Sequence, residues 1–351
     1  MSKHSRLRTL RALCLARVRE YYREPEVIFW SFVFPVLLAA ALAVAFRERA
    51  PEPSRVLVVH APGAEQLLPA LAVSPLLQAA GATETAAAQA LVMGRADVVV
   101  VPAADTAAGL TYRYDPTRPE ASIARARCDD AIQRAAGRVD PVASRDALVS
   151  EPGGRYIDFL VPGLIGMNLL SAGMWGVGFV LVDMRIKKLL KRLLATPLRP
   201  ADFLAAQLVT RLAFAVVEIG VLFAFAALVL DVPVRGSLTA VMGVALLGAL
   251  AFAGLGLLVA SRARKIETVS GLMNLVTMPM LVGSGVFFSV ERFPAAVQPW
   301  LRLLPLTALN DALRAIALEG APLLTQWPQL LVITVWGAAS FVIGLRLFRW
   351  D

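Results

Sequence analysis

The chain is poor in charge, cysteine and histidine, and each scarcity removes a class of function. Charged residues make up 17% of the 351 positions, against about a quarter in soluble proteins, so an ordinary water-soluble domain is excluded. The two cysteines, Cys14 and Cys128, and the two histidines, His4 and His60, leave no disulfide scaffold and no Cys- or His-rich metal site. No His-Glu-x-x-His pair occurs and neither histidine sits in an apolar run, so a zinc protease and an intramembrane Ser-His hydrolase lack support. Gly-x-x-x-x-Gly-Lys-Ser/Thr is missing too, so this chain has no phosphate loop for ATP. Lysine occurs only five times, at positions 3, 187, 188, 191 and 265.

Apolar residues fill the space, at 58% of the chain, with a mean hydropathy of +0.65. A helix needs about 20 apolar residues to cross a hydrocarbon core of about 30 Å. Six runs qualify: Val27 to Phe46, Tyr156 to Val182, Phe203 to Leu230, Leu238 to Ala260, Val269 to Phe288 and Leu330 to Phe348. The expected fold is therefore an α-helical polytopic membrane protein with six transmembrane helices. Ala43-Val44-Ala45 fits a signal-peptide cleavage pattern, yet the first run exceeds the usual apolar stretch of about 7 to 15 residues and reads as retained.

Basic residues set the orientation. Seven precede Pro25, six lie between Asp183 and Asp202, three between Ser261 and Thr268, and two, Arg346 and Arg349, stand at the C-terminal end. These segments alternate as required for both termini in the cytoplasm, and they hold every lysine. Cys14 and Cys128 then fall on opposite sides of the bilayer. The net charge of +9 is explained by orientation, and no nucleic acid is expected.

Residues 47–155 contain twelve arginines and thirteen acids, and long segments translocate largely regardless of charge. Arg55 to His60, Asp97 to Val101 and Thr111 to Tyr114 read as strands, and Ala64 to Ala80, Thr85 to Met93 and Ala121 to Ala136 as helices. A small α/β extracytoplasmic domain is expected here, with Pro152-Gly153-Gly154 marking the return to the membrane. Over residues 1–26, Leu7, Leu10, Cys14, Val18 and Tyr21 recur every three or four positions between arginines, as in an amphipathic interfacial helix.

The loop 183–200 predicts a short helix that ends before Pro197, with Ile186, Leu189, Leu190, Leu193 and Leu194 on one face and Arg185, Lys188, Lys191 and Arg192 on another. Composition alone fits a partner-docking helix and a basic anchor lying on lipid equally. Residues 291–318 are broken by Pro294, Pro299 and Pro305 and charged at Arg302, Asp311 and Arg314. They cannot be a lipid-facing span, because irregular backbone at membrane depth needs protein or water around it. Within the spans, Arg211 and Glu218 share a helix face seven residues apart, or about 10 Å along the axis, so a direct pair requires both side chains to stretch. Asn168, Asn274 and Thr277 are suited to hydrogen bonding across helices, and Asp158 lies near an outer end.

Leu193-Leu194-Ala195-Thr196-Pro197-Leu198, followed by a new span, resembles the loop of ABC-2 type transporter permeases. Ser284-Gly285-Val286-Phe287-Phe288, Glu291, Phe293-Pro294, Leu304-Pro305-Leu306-Thr307 and Ala312-Leu313-Arg314 resemble that family's C-terminal signature, and with the N-terminal helix the resemblance covers nearly the whole chain. It departs where many members carry Gly-Thr and this chain has Lys188-Leu189.

The resemblance implies that Asp183, Arg185, Leu189, Lys191, Arg192, Leu193, Leu194, Thr196 and Pro197 contact an ATPase subunit. It implies that Gly285, Phe287, Phe288, Pro294, Pro305 and Arg314 belong to an outward re-entrant hairpin before the last span. It further implies a non-enzymatic membrane subunit of a bacterial ABC exporter in the cytoplasmic (inner) membrane. ATP and Mg would be bound by the partner ATPase and none by this chain, with a second permease copy, identical or paralogous, completing a dimer in the lipid bilayer. An apolar pathway with few charges points to a hydrophobic or amphipathic cargo, drug or lipid-like, exported from the cytoplasm. An ATP-independent secondary transporter or channel, a membrane-anchored sensor and a polysaccharide-exporting ABC permease are the alternatives.

Overall fold

A computed structural model describes residues 3–46, 52–62, 64–102, 109–142, 145, 155–195 and 199–348, with side chains described outside 3–10 and 194. The chain divides into two compact units, Met1–Arg47 with Val149–Asp351, and Glu48–Leu148.

The first unit is helical. It opens with α1 (Lys3–Arg23) and holds six helices long and apolar enough to cross a membrane. These are α2 (Pro25–Ala45), α6 (Tyr156–Ile186), α8 (Pro200–Val229), α9 (Leu238–Ala260), α10 (Ile266–Gly283) and α13 (Leu323–Leu347). Three smaller helices intervene: α7 (Leu189–Leu194) between α6 and α8, then α11 (Gln298–Arg302) and α12 (Pro305–Ala317) between α10 and α13. Proline stands in the first turn of α2, α8 and α12, where its missing N–H costs nothing and its fixed φ favours the helix.

The central element is α9, flanked by α6 and α13, with 67% of its apolar window buried against 11% for α2 and 22% for α13. Lipid tails are as apolar as leucine, so close backbone contact rather than water exclusion joins such helices. At the α6–α9 crossing, a Cβ on Gly178 would lie 2.5 Å from the Gly256 carbonyl oxygen. Only glycine permits that approach.

The second unit is a four-stranded sheet with helices on both faces: β1 (Ser54–Val59), α3 (Ala64–Ala72), β2 (Leu77–Ala82), α4 (Glu84–Val92), β3 (Val98–Pro102), β4 (Leu110–Arg113) and α5 (Pro119–Ala135). The strand order is β2-β1-β3-β4, with β1 parallel to β2 and β3, and β4 antiparallel to β3. Val56, Val58, Val98 and Val100 point to α3 and α5, where Leu71, Cys128 and Ile132 complete one core. Val59 and Val99 point the other way, to Ala87 of α4.

One sequence expectation fails here. The helix expected over Ala64 to Ala80 stops at Ala72, and Leu77–Ala82 becomes edge strand β2, registered with Ser54–Val59. Ser74-Pro75 breaks the helix, since a residue before proline avoids the α region. Pairing with β1 then overrides the helical preference of the alanines.

Candidate functional site

The foot of α6. A helix of 31 residues is about 46 Å long at 1.5 Å per residue, which exceeds the hydrocarbon core by roughly 16 Å. The 183–200 segment therefore starts as the last turns of α6, and that changes the role of Arg185. Its side chain is buried at 9% exposure, donating to the carbonyls of Ala260 at 3.0 Å, Ala263 at 2.7 Å and Ser261 at 3.2 Å. Its guanidinium also lies 4.7 Å from the Phe348 ring centre. Carbonyls at a helix C-terminus lack intrahelical donors and carry partial negative charge, so a cation suits them. Arg185 thus ties α6 to the end of α9, instead of lying on an exposed polar face with Lys188, Lys191 and Arg192.

Lys188 then takes a left-handed conformation, φ 57°, and α7 sets off in a new direction. The break divides the apolar face expected of this loop. Leu190 turns inward at 1% exposure, Leu189 and Leu193 are half-buried, and Leu193 packs against the helical core. Ile186, Lys187, Lys188, Lys191 and Arg192 are exposed. Lys187 pairs with Asp183 at 2.8 Å, a hydrogen bond that holds its ammonium above the ordinary lysine value. Thr196, Pro197 and the side chain of Leu194 lie outside the described residues, as does Pro152-Gly153-Gly154.

The hairpin. Between α10 and α13 the chain turns at Gly285, φ +70°, and returns through α11 and α12. Asn310 donates to the Ser284 carbonyl at 2.9 Å, and Tyr156 to the Phe287 carbonyl at 2.9 Å. Arg314 donates to the Phe159 carbonyl at 3.1 Å and to the Gly285 carbonyl, with its guanidinium 3.6 Å from the Phe159 ring centre. The α6 backbone comes so near that a Cβ on Gly163 would stand 2.6 Å from the Val286 carbonyl oxygen. Pro305 is buried at the start of α12, while Phe288 and Pro294 are exposed. Arg314 and the Tyr156 phenol thus fasten the hairpin to the first turns of α6, while Asn310 ties α12 to the end of α10. The sequence singled out Arg314 but not Asn310, although an amide on the same face as Leu306, Leu313 and Ala317 was the available signal.

The intramembrane polar groups. Arg211 and Glu218 do stretch along α8 to meet, with Nη1–Oε1 at 2.9 Å and Nη2–Oε2 at 2.6 Å. Both are buried, at 7% and 3% exposure. The Tyr21 hydroxyl lies 3.3 Å from Glu218 Oε1 and 2.5 Å from Ser31 Oγ. Two π-helical turns border this cluster, Phe29–Val33 in α2 and Met174–Phe179 in α6. A side chain from another helix bonds a carbonyl in each: Asn168 to Ser31 at 3.3 Å and Gln207 to Gly176 at 3.1 Å. Such turns occur frequently at functional sites. Asn274, by contrast, is exposed on α10, and Thr277 is buried with its hydroxyl unpaired among the described residues. Asp158 is fully buried and paired with Arg155 at 2.9 Å.

Comparison with known proteins places the chain in a family. The family model described as ABC-2 family transporter protein matches residues 25–346, nearly the whole chain. The chain belongs to the ABC-2 transporter family. Family membership and six helices long and apolar enough to cross a membrane make it a membrane-spanning member of a transporter family. It is 29% identical over 173 residues to inner membrane transport permease YhhJ of Escherichia coli K12, covering 49% of this chain and 46% of that protein. It is 29% identical over 217 residues to nodulation protein J of Rhizobium meliloti, covering 61% of this chain and 76% of that one. ABC transporter G family member 20 of Dictyostelium discoideum is 28% identical over 189 residues, 53% of this chain and 26% of its own length. The chain thus spans between a quarter and a half of the length of two of these relatives.

Proposed function

We propose that this ABC-2 permease is the membrane subunit of an ATP-driven exporter whose ATP and Mg are bound on a separate ATPase subunit. The observation that carries this reading is the foot of α6. Its root is fastened to α9 by Arg185, so a push on α7 reaches the central helix of the unit. Beyond that root, Lys187, Lys188, Lys191 and Arg192 form an exposed cationic edge. That edge fits an acidic surface on the ATPase better than an apolar groove, because Leu190 and Leu193 are spent on the permease's own core.

Two permease copies would enclose the pathway. The sparsely buried outer faces of α2, α10 and α13 supply apolar surface for lipid and for a second copy. Both termini and the 183–200 loop would lie in the cytoplasm of a bacterial inner membrane, and residues 47–155 outside it. The hairpin held by Arg314 and Asn310 would be re-entrant from the outer side. A cargo that is hydrophobic or amphipathic matches a helical unit in which the charges farthest from the helix ends, Arg211 and Glu218, are paired with each other.

The test is reconstitution of the chain in proteoliposomes with and without its co-purified ATPase, following efflux of amphipathic dyes. The reading expects transport only with ATPase, ATP and Mg. Equal transport by the chain alone, driven by an ion gradient or by none, would replace it with a secondary transporter or channel.

A further inference from the structure

Among its described side chains, the N-terminal helix reaches a buried carboxylate through Tyr21, and that contact is unusual. Its inward face, Cys14, Arg17, Val18 and Tyr21, follows α8, with Cys14 Sγ 3.8 Å from the Ala206 carbonyl and the Arg17 guanidinium 5.7 Å from the Phe203 ring centre. Farther along, the Tyr21 ring stacks on Phe214 at 3.9 Å and meets Phe32 of α2 edge-on at 6.5 Å. Apolar packing would account for all of this without a hydroxyl.

The hydroxyl reaches past the rings to a buried carboxylate. A phenol has one proton and a carboxylate only accepts, so the arrangement that satisfies both neighbours has Ser31 donating to Tyr21 and Tyr21 donating to Glu218. Burial, and then the Glu218 charge, push the Tyr21 phenol up to about 12, so it keeps that proton at any physiological pH. One atom therefore joins three elements: α1 that carries it, α2 through Ser31, and α8 through Glu218.

We infer that Tyr21 is a positioning residue: its hydroxyl latches α1 to the Arg211–Glu218 pair, so that α1, α2 and α8 move as one body when α8 is displaced. This rests on the proposed coupling role of residues 183–200, because α8 begins directly after that loop. A displacement of the loop enters α8 at Pro200 and passes to α1 through Glu218 and Tyr21.

The experiment compares the full-length chain with Tyr21→Phe in lipid nanodiscs by hydrogen exchange, with Tyr22→Phe as control, because Tyr22 is 72% exposed. Phenylalanine keeps the stacking on Phe214 and removes only the hydroxyl. The expected result is exchange about tenfold faster across Arg11–Arg23 in Tyr21→Phe, the scale of losing a bond to a charged group, and no change in Tyr22→Phe. Unchanged exchange in Tyr21→Phe, or equal acceleration in both, would overturn the latch. Should Tyr21→Phe fail to accumulate, Ser31→Ala removes the neutral bond that orients the Tyr21 hydroxyl toward Glu218, and a smaller acceleration of about fivefold over the same span is expected; no acceleration would refute the latch. A second readout is the ratio of cargo moved to ATP hydrolysed by the assembled complex, which should fall in Tyr21→Phe while ATP hydrolysis persists. Faster exchange with an unchanged ratio would refute the transmission role. Absence of any ATPase in the complex would refute the coupling reading and leave the exchange result standing.

Discussion

Replacing Glu218 by glutamine isolates the buried ion pair. The glutamine keeps the length of the side chain and an oxygen that accepts from Tyr21, so what is lost is the negative charge held 2.6 and 2.9 Å from Arg211. Arg211 stays 7% exposed within α8, far from solvent that would screen it. Removing one partner of a buried pair costs about 3–5 kcal/mol, since the remaining charge is uncompensated. At about 2–4 °C per kcal/mol for a unit of 150–250 residues, Tm falls by roughly 6–20 °C. Arg211→Gln in the same background removes the stranded charge and recovers most of the loss. The double-mutant cycle should therefore show a coupling of at least about 2 kcal/mol. Thermal unfolding of the four variants in nanodiscs, followed by tryptophan fluorescence, measures it. A Tm for Glu218→Gln within about 3 °C of the parent, or a double variant no better than the single one, would show that water or lipid headgroups reach Arg211 and that the pair is not structural.

Other perturbations test other parts of the site. Lys191→Glu combined with Arg192→Glu alters exposed side chains, so stability should stay within about 0.5 kcal/mol while ATPase capture in pull-down weakens at least about tenfold. Lys188→Gly relieves a left-handed lysine at φ 57° and should raise stability by about 1 kcal/mol or less, read as a small increase in Tm. Arg314→Lys keeps the charge but cannot span the Phe159 and Gly285 carbonyls, and should cost about 1–3 kcal/mol with faster amide exchange in the hairpin. Burial, then Asp129, push the Cys128 thiol up to about 12. At pH 8 only about one molecule in ten thousand carries the reactive thiolate, so maleimide should label Cys128 only after denaturation, and rapid native labelling would refute its placement.

The spans were legible because a hydrocarbon core demands long uncharged runs, and such runs survive in one dimension. Their ends were less so: the third helix starts at Pro200, not Phe203, and the last at Leu323, not Leu330, since amphipathic first turns dilute the apolar signal. In the loop, a continuous helical period hid the break at Lys188, and nothing local revealed that Arg185 has the carbonyls of α9 within reach. The left-handed φ of Lys188 is a conformation that glycine adopts without strain, so the departure to Lys188-Leu189 falls at the turn itself. The spacing of Arg211 and Glu218 allowed a pair, but whether two side chains stretch 10 Å toward each other depends on the burial that surrounds them. Tyr21 read as one more apolar position of α1, because its partner lies 197 residues away in sequence. Strand β2 was hidden by its alanines, which prefer helix until β1 offers them a ladder.

The most direct test of the ATPase-coupling claim places a photo-crosslinking amino acid at position 191 and irradiates native membranes. Lys191 is exposed at the foot of α6 beside Arg192, and the account predicts that the crosslink captures an ATPase subunit, with capture lost when ATPase is stripped from the membranes. A crosslinker at this position that captured only lipid, in membranes where the chain transports its cargo, would contradict it.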